Sequence, residues 1–125
     1  MQRRVTAASL RATERREREA AQPLLSSEAP GLVSLNIQFD EHVSMSAPVV
    51  SYVRRVVVPV ARAHFEVGCG DPSCNGGGHD LTYEIVRALR DRKHEFSGED
   101  ACRGSIGTAS CPRVLRYRAT AEYNP

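Results

Sequence analysis

The chain reads as an α+β domain: a small antiparallel sheet of three to four strands, one packed helix, a zinc-binding corner and an N-terminal polar helix. Three observations point there. Apolar and polar residues alternate strictly over 33–40 and again over 115–123, the period of half-buried strands. One segment, starting at Leu81, carries a helical apolar stripe. The four cysteines, Cys69, Cys74, Cys102 and Cys111, fall as pairs in two glycine-rich stretches, GCGDPSCNGGGH and CRGSIGTASC. Zinc takes four N or S ligands, and glycine lets backbone wrap closely around them.

The elements follow in order. Residues 1–22 form a polar helix rich in Ala, Arg and Glu, all good helix formers. Only Val5 and Leu10 are clearly apolar there, so the helix has no stripe with which to dock. Residues 23–30, PLLSSEAP, read as a linker by their prolines and serines. The division is therefore an Arg/Glu-rich arm over 1–30 and an α+β domain over 31–125.

In the first strand Val33, Leu35, Ile37 and Phe39 share a face. A loop follows over 41–48. The valines of 49–60 fit both helical and extended spacing; their β-branched side chains favour a strand, with Pro59 at an edge or bulge. Ala61, Ala63, Phe65, Val67 and Cys69 alternate with Arg62, His64 and Glu66, which predicts another strand ending at the first cysteine. Asp80 is placed to cap a helix over 81–96, with Leu81, Ile85, Ala88 and Leu89 buried and Gly98 as its stop. Residues 97–112 form a loop. The last strand, RVLRYRATAEY, turns Leu115, Tyr117, Ala119, Ala121 and Tyr123 one way and Arg116, Arg118, Thr120 and Glu122 the other.

Composition narrows the function classes. A hydrophobic content of 41% and a charged content of 26% are those of an ordinary soluble domain. No run approaches the ~20 apolar residues of a membrane span, and no apolar leader precedes the arm. The cysteines are thus expected in a reducing compartment, the cytoplasm, which disfavours disulfides. Residues 1–22 hold six arginines against three glutamates, whereas the rest holds eleven basic against twelve acidic residues. The body is not generally attractive to nucleic acid.

Cys69, Cys74, Cys102 and Cys111 are the predicted ligands of one structural zinc. Cys69 ends one predicted strand and Cys111 starts another, so antiparallel pairing of the two would bring all four thiols to one corner. His79 is the alternative ligand, five residues after Cys74. Four thiolates leave no position for an activated water, so a non-enzymatic, zinc-stabilised protein-interaction module is expected, a subunit or accessory factor of a larger assembly. Arg62, His64, Arg116 and Arg118 would form its contact patch if their strands were neighbours. One alternative is a nucleic-acid-associated protein using the arm and this patch. Another is a small metal-dependent hydrolase built on His79-Asp80. There is no CxxC redox pair, and Gly76, Gly77 and Gly78 are not followed by the Lys-Ser/Thr of a phosphate-binding loop.

Overall fold

The computed structural model describes residues 6–125. Arg3, Arg4 and Val5 of the expected arm lie outside the described residues. Helix α1 (Ala7–Ala20) and a single turn, α2 (Leu25–Glu28), precede the two long strands β1 (Leu32–Val43) and β2 (Pro48–Val56). Two short strands, β3 (Glu66–Val67) and β4 (His79–Asp80), lead to helix α3 (Thr82–Arg90). Strand β5 (Glu95–Ala101), a small hairpin of β6 (Ser105–Ile106) and β7 (Ala109–Ser110), and the long β8 (Arg113–Tyr123) complete the chain.

The main sheet is antiparallel in the order β2-β1-β8-β5. The α+β expectation holds. The two central strands are those with the clearest alternation. One face of β1 buries Leu35, Ile37 and Phe39; the matching face of β8 buries Leu115, Tyr117, Ala119 and Ala121. Against that face pack Ile85, Val86 and Leu89 of α3, together with Leu25, Ala63, Phe65 and Leu81. The opposite face carries no second layer among the described residues. Among those residues, too, no helix is long and apolar enough to cross a membrane.

Residues 48–56 resolve the ambiguous valine run as a strand, and Pro59 falls in the turn beyond it. Four expectations need correction. The strand expected over 61–69 is not formed: Glu66 and Val67 pair with the short β4, and Arg62 makes an isolated bridge to Leu24. The backbone of 61–65 instead bonds to neighbouring segments. Leu25 donates to the Ala61 carbonyl, Ala63 to the Pro23 carbonyl, and the Phe65 N–H to Thr82 Oγ1. Ala63, His64 and Phe65 are buried in succession between sheet and helix, so the apparent alternation has no solvent side.

Residues 23–30 are more than a connector. Leu25 is 0% exposed and Ala29 2%, and both belong to the core.

Helix α3 ends at Arg90, not near Phe96. Arg92 adopts a left-handed conformation (φ 54°), the Arg92 N–H bonds the Leu89 carbonyl, and the Lys93 N–H bonds the Ala88 carbonyl. This is a Schellman termination with arginine where glycine is usual. At the other end Leu81, not Asp80, is the capping position; Asp80 accepts the Thr82 N–H through its side chain at 3.0 Å.

The loop expected over 97–112 contains β5 and the β6–β7 hairpin. Gly98 stops no helix. It lies opposite Tyr117 in the β5–β8 ladder, where a side chain would collide with the tyrosine ring.

Candidate metal centre

The cysteine corner lies beyond the short β3–β4 ladder, where the chain leaves the core after Val67 and returns at His79. The intervening turn holds Cys69 and Cys74. The stretch from the end of β5 to the start of β8 holds Cys102 and Cys111. Backbone bonds join the two stretches: Asn75 and Ser105 exchange N–H to carbonyl bonds at 2.8 and 3.0 Å. The Cys111 N–H reaches the Gly104 carbonyl at 2.9 Å, and the Cys102 N–H reaches the Arg113 carbonyl at 2.9 Å.

These connections gather the four sulfurs into one cluster, all within 4.8 Å of one another. The Sγ atoms of Cys69 and Cys111 are 3.8 Å apart, and those of Cys74 and Cys102 are 3.6 Å apart. A disulfide needs about 2.05 Å. Four sulfurs each about 2.3 Å from a central ion lie about 3.8 Å apart along the edges of a tetrahedron. The donor set and its spacing therefore fit one metal ion. The geometry arises without the β-pairing expected of Cys69, because the turns themselves carry the thiols together.

Glycine is required where the turns close on the sulfurs. A Cβ at either Gly77 or Gly104 would overlap Cys74 Sγ. Backbone donors complete the surroundings: the N–H groups of Gly78 and Gly104 each point at Cys102 Sγ at 3.4 Å. Cys74, Cys102 and Cys111 are buried, and Cys69 is half-buried.

Burial pushes the Cys69 thiol well above its ordinary pKa, with a further push from the adjacent Cys111 thiol. Burial and the neighbouring Cys102 raise Cys74 to about 11. Cys102 moves the other way: burial opposes its ionisation, but the Gly104 and Gly78 N–H groups and the adjacent thiols outweigh that and lower its pKa.

A buried ion pair supports the corner from below, and sequence reasoning missed it. Glu41, at the end of β1, is 4% exposed. Its two oxygens accept the Gly70 N–H at 3.2 and 3.1 Å, and Oε1 also accepts from Arg113 Nη1 at 2.9 Å. Gly70 follows Cys69, and Arg113 stands two residues after Cys111. One carboxylate thus holds both arms of the site. The signal in the sequence was an acidic residue on the apolar face of β1, in phase with Leu35, Ile37 and Phe39.

His79 is not among the clustered donors. Its ring is buried, and Nδ1 lies 2.9 Å from Asp100 Oδ2. A carboxylate only accepts, so Nδ1 carries the proton. Nε2 has no hydrogen-bond partner among the described residues. The neighbouring Asp80 is turned to the start of α3.

The four residues of the expected contact patch are not brought together. Arg62 donates to the Gln22 carbonyl at 3.0 Å, next to the α1–α2 connection. His64 is buried and bonds Glu66 at 2.9 Å, so it does not face outward. Only Arg116 and Arg118 share a surface, the open face of the sheet, where Arg116 donates to Glu99 at 3.1 Å. The pairing of residues 61–69 with β8 that would have joined the two halves is absent. No family model matches the chain, and neither a curated protein nor a solved structure is significantly similar to it, so the chemistry at this corner stands on its own residues.

Proposed function

We propose that the protein is a non-catalytic, zinc-stabilised interaction module. One observation carries the reading: four sulfurs within 4.8 Å of one another, backed by N–H donors and close-fitting glycines. Cys69, Cys74, Cys102 and Cys111 would hold the ion, and zinc bound there supplies folding free energy. Zinc is favoured over harder cations because the donors are all thiols. Such a site needs its thiols reduced, in keeping with a cytoplasmic setting. The protein partner would be met on the open sheet face around Arg116 and Arg118.

Elemental analysis of protein purified without chelator tests the metal, with about one zinc per chain expected. Cobalt replacement tests the shell: a tetrathiolate spectrum is expected, and a spectrum of fewer thiolates with bound water would overturn the structural role. His79→Ala should leave stoichiometry and spectrum unchanged. Arg116→Glu combined with Arg118→Glu should weaken capture of the native partner without altering metal content.

A further inference from the structure

The two edges of the main sheet are built differently. Edge strand β5 carries Glu95, Glu99 and Asp100 with Gly98 in its middle, the charged and interrupted composition that discourages strand addition. Edge strand β2 is rich in strand-forming Val50, Tyr52, Val53 and Val56, with charges only at Arg54 and Arg55. Its ladder with β1 is regular from Val50 to Val56; Val49 stands in a bulge, between the pairs Glu41–Val50 and His42–Pro48. No strand lies on its outer side among the described residues.

Up to Val53 the side chains of this strand are exposed on both faces, and only Arg54 and Val56 are part-buried. Tyr52 packs on Phe39 with ring centroids 5.2 Å apart, yet remains 43% exposed, while Phe39 itself is 1% exposed. On the other face Val53 is 56% exposed. Arg54 over the Phe65 ring and Val56 against the core continue the layer onto β2, whose backbone groups along its outer side are matched by no strand among the described residues. In a single chain water meets those groups, and they form a ready template for another extended strand.

We propose that β2 pairs antiparallel with β2 of a second copy of this chain, about a two-fold axis at Val53. Charge selects this arrangement. Parallel pairing would set Arg54 and Arg55 beside their own copies, which is unfavourable. The antiparallel register about Val53 sets Arg54 against the Tyr52 ring, Arg55 against Ser51, and Val50 against Val56, all within the bulge-free run. The result is a closed dimer with one eight-stranded sheet, the interface type commonest among soluble oligomers. The interface involves no cysteine, so it stands or falls independently of the zinc reading.

Sedimentation velocity of the full chain, from low micromolar to near-millimolar concentration, tests it. The expected result is a mass that rises from one chain to two and no further. Val53→Lys and Val53→Glu place like charges across the axis, and each alone should stay a single chain. Mixed together, the two variants should recover the two-chain mass, because opposite charges then face each other. Met45→Lys, an exposed residue outside the strand, should dimerise like the parent. A single-chain mass for the parent throughout, a dimer that persists in Val53→Lys, failure of the mixture to associate, or open-ended growth through the β5 edge would each overturn the proposal.

Discussion

Glu41 and Arg113 meet at 2.9 Å beneath the cysteine corner, with side chains only 4% and 16% exposed. The pair joins β1 to the segment that carries Cys111, and through the Gly70 N–H it also fixes the segment that carries Cys69. Glu41→Ala removes the acceptor for both and leaves the part-buried Arg113 with only Asp71, at 4.0 Å, as a counter-charge. A loss of about 3 kcal/mol is expected in denaturant unfolding. Metal affinity should fall as well, read by competition with a chromogenic chelator. Full retention of both quantities would show that the turns hold the thiols without this support.

The glycines at the thiols give a second test. Gly77→Ala and Gly104→Ala each drive a methyl group into Cys74 Sγ. Either should weaken metal binding about 10- to 100-fold. Gly107→Ala serves as the comparison: its Cβ would meet nothing within 4 Å, although its φ of 61° makes the change mildly straining. It should keep its affinity and lose only a little stability.

Metal uptake should release protons. Burial raises the Cys69 and Cys74 thiols above their ordinary pKa, so both are protonated at neutral pH before metal arrives. A metal takes thiolates, and these protons must leave. Affinity is then expected to fall as pH is lowered. Calorimetric titrations in buffers of different ionisation enthalpy would count the protons, and a heat independent of buffer would contradict the expectation.

The arm and the segment after it should respond very differently to removal. Helix α1 is attached mainly through exposed ionic contacts, Arg18 to Glu66 at 2.5 Å and Arg54 to Glu19 at 4.0 Å. Deleting residues 1–20 should leave the unfolding transition of the body largely unchanged, because exposed ion pairs contribute little. The Arg18 hydrogen bond is the main cause of the lowered Glu66 pKa, so this small contribution is present above the ordinary carboxylate pKa and is lost as pH falls below it. Leu25→Ala, by contrast, opens a hole at a fully buried position and should cost about 2–4 kcal/mol by chemical denaturation.

The central strands were legible because burial on one face leaves period two in the residues themselves, as in Leu35-Asn36-Ile37-Gln38-Phe39. The stripe of α3 was equally legible: Ile85, Ala88 and Leu89 are all buried, as is Leu81 at the capping position. The cysteine cluster could be read from composition, since four thiols in glycine-rich turns have few other uses. What escaped was set by long-range context. Segment 61–65 has strand-like alternation, but its hydrogen bonds go to Pro23, Leu25 and Thr82, which no local pattern announces. Strand β5, EFSGEDA, is poor in strand formers and is held by pairing with β8. The end of α3 was missed because a left-handed Arg92 gives no residue-type signal.

The central ladder of the sheet joins Leu32 to Tyr123 and Val43 to Arg113, so its two strands lie far apart in the sequence. Nothing local can stand in for that pairing during synthesis. Without the eleven residues of β8, β1 has only β2 beside it, and a lone hairpin is marginal in water. Long-range closure of this kind makes folding slow, and it leaves the valine-rich β2 hairpin unshielded meanwhile. Disruption of β8, which pairs with both β1 and β5, should therefore be far more damaging than loss of α1.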